Sequence, residues 1–221
     1  MTNGEDRLMP LLTKNEQKKC FEESECGVKR LTCNPFCFMP VLDMPTIQSA
    51  ANNRSFAEFD LARLLSSVFE PVEGRKICIL IDLPDLAEAK KMAFLLNPER
   101  PVQQKAFEHF YQGLNNGVMN ELGMTGGEMF AYQQTGGSNL DMPDRCVDMD
   151  GNDLSLERDI YPNYDIVLCI STFSATAPLT EFAKKYGFRG ATLHGLNDII
   201  LNSGLAVDYR EVSRDAEKLR L

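Results

Sequence analysis

Between Phe56 and Phe69 the apolar residues Phe56, Phe59, Leu61, Leu64, Leu65 and Phe69 fall on the spacing of one helical face. That pattern predicts an amphipathic helix over residues 55–69, ended by Pro71 and Gly74. Residues 76–83, KICILIDL, change the period: a short, nearly continuous apolar run rich in Ile. A strand buried on both faces reads this way, and such strands belong to parallel sheets. Residues 86–96 read helical, and Asn97-Pro98 is a break. From 101 to 122 the residues Val102, Ala106, Phe110, Leu114, Val118 and Leu122 step by four, with Phe107 and Tyr111 beside them. That is a long helix with one core face. Gly126-Gly127 and Gly136-Gly137 bracket a strand over residues 128–135. Cys146-Val147 and residues 154–156 flank Asp150-Gly151-Asn152, a hairpin signal. YDIVLCI, residues 164–170, is the second strongly buried strand. A helix over 178–186 closes at Gly187, followed by a short strand over 188–193 and helices over 197–202 and 209–221.

Strands alternating with helices predict an α/β fold, a three-layer sandwich around a mostly parallel sheet. Residues 1–54 hold no sustained period and contain Pro35, Pro40 and Pro45. They read as an irregular N-terminal extension with one short helix near residues 15–23, ahead of an α/β domain over 55–221.

Composition narrows the partners. The 221 residues carry 23 Lys and Arg against 32 Asp and Glu, a net charge of −9. Nucleic-acid binding needs cations to neutralise phosphates, and an electrostatic membrane anchor needs them too. Neither partner is expected. The first residues are polar and acidic where a secretory leader starts basic and turns apolar. The low-charge runs 31–42 and 166–180 contain prolines or many hydroxyls and fall short of a roughly 20-residue membrane span. A soluble, cytoplasmic protein is expected. Seven cysteines, an odd number, fit a reducing compartment. Cys78 and Cys169 lie in apolar runs, where Cys packs as a small hydrophobe. Cys20, Cys26, Cys33 and Cys37 have gaps that match a zinc pair only at Cys33-x3-Cys37. Whether these four bind a metal stays open.

The chain has no G-x-G-x-x-G, G-x4-G-K-[ST], G-x-S-x-G or H-E-x-x-H pattern, and only two histidines, His109 and His194. Its strongest local signal is STFSATAP, residues 171–178, between a buried strand and a helix. Ligands of doubly wound sheets bind beyond the carboxyl ends of the strands, and a helix N-terminus attracts anions. Ser171, Ser174 and Thr176 are therefore candidate ligand contacts for a carboxylate or phosphate. The plainer alternative is that Ser174 or Thr176 caps the helix. Asp82 and Asp85 end the first strand. A carboxylate there suits an ammonium group, or else caps the next helix. Arg189 suits a carboxylate and His194 suits acid–base work, both beside the same strand ends; a loop role for His194 is the alternative. His109 reads as structural. Asp148, Asp150 and Asn152 have calcium-loop spacing, but Asp153 stands where that loop requires Gly, so a solvated hairpin tip is expected.

Three stretches, IVLCISTFSATAPL, EFAKKYGFRGATLHGLN and AVDYREVSRDAEKL, together resemble the N-terminal α/β domain of the leucyl aminopeptidase, aminopeptidase T type of metallopeptidase. The shared order is a strand, a Ser/Thr-rich turn, a helix, a Gly-aromatic-Arg step, a short loop and an Asp-Tyr that begins a helix. The resemblance covers residues 165–221 and, more loosely, reaches back to Arg75. His194 departs from it, since a Pro more often precedes the Gly of that loop. In that family two divalent ions are held by Glu, His and Asp of a second, C-terminal domain, which these 221 residues do not include. The resemblance thus implies a non-catalytic domain without a cofactor of its own, with divalent metals only if a C-terminal catalytic domain exists. A stand-alone module that binds a peptide or small carboxylate without hydrolysis is the alternative. A small-molecule transferase or hydrolase using His194 is a third reading. Monomer and homodimer both stay open.

Overall fold

The computed structural model describes residues 58–220. The extension over 1–54, its short helix and Cys20, Cys26, Cys33 and Cys37 lie outside the described residues. Helix α1, Leu61–Phe69, starts later than its apolar spacing predicts. Asp60 supplies the reason: its side chain accepts the Arg63 N–H at 3.0 Å and fixes the first turn there. Strand β1 is Lys76–Leu83, with every residue after Lys76 buried. The segment Leu86–Leu96 is not one helix. Two tight turns meet at Lys90–Met92, where Lys91 (φ 53°) and Met92 (φ 56°) are both left-handed. The Lys91 N–H donates to the Met149 carbonyl at 2.8 Å and holds that bend.

Helix α2 spans residues 101–121. It opens with Pro at its first position and is wound wide over Ala106–Tyr111 and Leu114–Val118, with a kink at Asn116 and Gly117. The apolar step of four in this stretch exceeds the 3.6-residue turn of an α-helix. Wider i→i+5 winding keeps such a row on one face, and Ala106, Phe110 and Leu114 are fully buried.

Strands β2 (Thr125–Gln133), β3 (Arg145–Asp148) and β4 (Asp153–Ser155) follow. Then come β5 (Ile166–Ser171), α3 (Thr176–Tyr186), β6 (Arg189–His194), α4 (Asp198–Leu201) and α5 (Tyr209–Leu219). The six strands lie in the order β4-β3-β2-β1-β5-β6. β2, β1, β5 and β6 are mutually parallel, and the β3–β4 hairpin joins β2 antiparallel. The α/β reading therefore holds, with a mostly parallel sheet. β1 leads to β2 on one side, and β5 returns to pair on the other side of β1. The strand order reverses between β1 and β5, which is where a doubly wound sheet opens its crevice.

Alternate residues of each central strand feed two cores. Ile77, Ile79, Ile81, Leu168 and Ile170 pack with α1 and α2. Cys78, Leu80, Val167 and Cys169 pack with Tyr161, Tyr164, Leu179 and Phe188 on the other face. Each fully buried Ile or Leu contributes about 1.5–3 kcal/mol. Cys78 and Cys169 are buried thiols, as expected of Cys in apolar runs, and Cys146 is buried as well. No described helix is long and apolar enough to cross a membrane.

Candidate functional site

Asp82 sits at the strand-order reversal. It ends the β1 row that contains Cys78 and Leu80, yet only 1% of it is exposed. A carboxylate buried this deeply is costly unless donors surround it. Gln103, from the first turn of α2, donates its Nε2 to Asp82 Oδ1 at 2.7 Å and to the Asp82 carbonyl at 2.7 Å. From the end of β5, Thr172 donates its N–H at 2.8 Å and approaches with Oγ1 at 3.2 Å. Gln134 reaches Oδ2 with Nε2 at 3.2 Å. The carboxylate thus ties β1, α2, β5 and the loop after β2 into one knot. It neither waits for an ammonium group nor caps a helix. Asp85 is the cap, taking the Ala87 N–H at 2.9 Å.

The hydroxyl-rich turn after β5 divides into a buried and an exposed part. Ser171 is fully buried, and its Oγ donates to the Phe173 carbonyl at 2.6 Å. Ser174 is half-buried and Thr176 is exposed. Their hydroxyls lie 3.0 Å apart, and Thr176 Oγ1 lies 2.8 Å from Thr192 Oγ1 on β6. The N-terminus of α3 is capped by neither of them in the main. Asn139, in the loop after β2, accepts the Ala177 N–H on its Oδ1 at 3.0 Å and donates its own N–H to the Ser174 carbonyl at 2.6 Å. Ser138 Oγ accepts the Ser174 N–H at 3.2 Å. The 134–139 loop therefore lies across the position where an anion would meet the helix.

Arg189 does not join this group. It starts β6 and pairs in register with Ile166, the first residue of β5. Five steps along the strand separate it from His194, about 16 Å. Its guanidinium donates to the Phe69 carbonyl and, at 3.0 Å, to the Val68 carbonyl. It also lies over the Phe69 ring at 5.2 Å. A cation at the last carbonyls of α1 complements the helix dipole. His194 does end β6 at the carboxyl side, opposite Ser171 in register, and is exposed. His109 meets the Phe59 ring edge-on at 5.9 Å, a packing role.

The structure thus brings Asp82, Ser171, Ser174, Thr176 and His194 to one end of the sheet and places Arg189 at the other. Sequence reading missed Gln103, Gln134 and Asn139. All three are amides, and their partners are 21 to 52 residues away along the chain. The only available signals were amides just past a helix-opening Pro and in a Gly-rich loop.

Burial pushes other polar groups at this end toward their neutral forms. The Cys169 thiol is raised to about 11 by burial, and the Tyr132 hydroxyl, 3.6 Å from it, is raised as well. Burial also raises Cys146, to about 12. The calcium-like loop resolves as the expected hairpin tip. Asp148 Oδ1 accepts the N–H groups of Asp150 and Asn152 at 2.9 and 2.8 Å, and Oδ2 accepts Asn152 Nδ2. Among the described residues no three His, Cys, Asp or Glu side chains gather as a metal set.

Three clefts border β6. One of about 330 Å³ lies between β6 and α3, lined by Thr176, Leu179, Thr180, Ala183 and Thr192. A second of about 240 Å³ lies on the opposite face, lined by Leu64, Val68, Ala191, Leu193 and Tyr209 among others. A third of about 160 Å³ lies at the amino end, beside Arg75, Asp165 and Arg189. Comparison with protein-family models, with curated proteins and with solved structures finds no match to this chain.

Proposed function

We propose that this chain is the non-catalytic N-terminal α/β domain of an aminopeptidase T-like metallopeptidase-family protein, forming part of the wall of a peptide site. The observation that carries this reading is Asp82. At the position where such a sheet presents its acid to a ligand, the carboxylate is taken up by Gln103, Thr172 and Gln134. That is a rigid support with neither a nucleophile nor an acid–base pair. The elements behind the resemblance also occur in order: β5, the hydroxyl turn, α3 closed by Gly187, β6 from Arg189, and α5 capped by Asp208. The described residues do not gather ligands for divalent ions, so no metal-dependent step is assigned to them. In this reading the metals belong to a separate C-terminal domain.

Leucine p-nitroanilide with added Zn²⁺ or Co²⁺ tests the proposal. The 221-residue chain should give no turnover, while the endogenous product purified from cells should be longer and hydrolyse the substrate in a chelator-sensitive way. Turnover by the isolated chain, or an endogenous product of this length, would overturn it.

A further inference from the structure

The two edges of the sheet are finished differently. β4 is three residues long, ends a hairpin, and carries the exposed Asp153–Arg145 pair. Short, charged edges of this kind resist pairing with other chains. β6 is six residues long, RGATLH, with neither Pro nor Lys. Both of its faces are partly covered: Ala191 and Leu193 pack against the α1 side, and Gly190 closes on Leu179 of α3. A Cβ at Gly190 would come within 2.9 Å of the Leu179 side chain.

Among the described residues the edge itself is unpaired. The Arg189 and Gly195 N–H groups donate inward, to the Asp165 and Ser171 carbonyls. Backbone groups alternate along a strand, so Gly190, Thr192 and His194 present theirs outward. A cleft borders β6 on each face: one of about 330 Å³ on the α3 side, lined by Thr176, Thr180 and Thr192 together with Leu179, Ala183 and Phe188, and an apolar one of about 240 Å³ on the α1 side. Side chains of an added strand alternate between those two faces. Arg189 completes the picture. Its guanidinium is bound only to neutral carbonyls, and no carboxylate among the described residues forms an ion pair with it. It also borders both the amino-end cleft and the α3-side cleft.

We propose that the open edge of β6 is a strand-addition site for an extended segment of another polypeptide. That segment is apolar on the face toward α1, carries small or hydroxyl-bearing side chains on the face toward α3, and has a carboxylate at the level of Arg189. Main-chain hydrogen bonds to Gly190, Thr192 and His194 supply affinity, and the two clefts and Arg189 supply specificity. A second copy of β6 fits poorly. Antiparallel self-pairing centred on Thr192 sets Gly190 against His194 and Arg189 against Gly195, and offers no carboxylate. The proposal holds whether or not the chain is an aminopeptidase domain.

The full chain is panned against a displayed library of random twelve-residue peptides, and the enriched peptides are synthesised. They should share a short run with apolar residues at alternate positions and an acidic residue at one end. N-methylation of every second amide should weaken binding at least tenfold, and of the intervening amides less than twofold. Replacing the acidic residue by its amide should weaken binding to the native chain several-fold and leave binding to Arg189→Gln unchanged. The N-methyl scan needs no protein variant, so a misfolded mutant cannot mask the result. No enrichment, or N-methyl sensitivity without alternation, would overturn the proposal. So would a dimer of the free chain that Thr192→Pro dissociates, since the occupant would then be a second copy.

Discussion

Two aspartates tie the same pair of strands, one at each end. At the carboxyl end Asp82 of β1 accepts the Thr172 N–H after β5. At the amino end Asp165, just before β5, accepts the Lys76 N–H of β1 at 2.8 Å. The geometry is nearly reciprocal, but the surroundings differ. Asp165 keeps 35% of its side chain exposed and has a cation, Arg75, at 2.5 Å. Asp82 is buried and has amides and a hydroxyl in place of a cation. Water and an arginine solvate one carboxylate, while fixed protein dipoles solvate the other. The second arrangement cannot relax when a partner is lost, so the same residue type carries very different weight at the two ends.

The largest expected effect is Asp82→Ala. Thr172 and Gln134 lose their acceptor while Gln103 keeps the main-chain carbonyl of residue 82, and donors left unpaired cost about 1–3 kcal/mol each, so a loss of about 2–5 kcal/mol is expected in urea unfolding. A loss below about 1 kcal/mol would mean the knot is not a support. Gln103→Leu comes next, at about 1–3 kcal/mol, because Asp82 then keeps only Thr172 and Gln134.

At the other end the expected signature is a pH dependence. The Lys76 N–H, and then Arg75, hold the Asp165 carboxyl below its ordinary range against the opposing effect of burial. A carboxyl lowered in the folded state contributes stability above the unfolded value of about 3.9. That contribution is lost as the pH falls through the lowered folded value. Asp165→Asn should therefore flatten the fall of Tm between pH 5 and 2.5. Parallel curves for the two proteins would remove Asp165 from the account. Smallest is Arg75→Ala, with an expected loss of about 0.2–1 kcal/mol, as for other exposed ion pairs. Equal losses for Asp82→Ala and Arg75→Ala would erase the contrast between the two ends.

Much of the fold was legible because its signals are local. The runs 76–83 and 164–170 are apolar over their whole length, and both proved to be central strands. The Asp-Gly-Asn tip marked the hairpin through contacts within four residues. The site was less legible because its contacts are distant. Thr172 lies 90 residues from Asp82, and no local pattern announces that pairing. Arg189 misled for another reason. An arginine beside a strand suggests a ligand, but only the parallel register shows which end of the strand it occupies. The bend at Lys91 and Met92 escaped as well, since neither residue type favours a left-handed backbone and a tertiary bond to Met149 holds it.

The 90 residues between Asp82 and Thr172 also set a delay during synthesis. At about 5–20 residues per second, roughly 5–18 s pass between the ribosome's making β1 and making its β5 partner. β2 arrives sooner, so one side of β1 can pair early while the other stays bare. For those seconds the nascent chain displays an isoleucine-rich strand with one edge bare, which makes this the stage of its life when chaperone contact matters most.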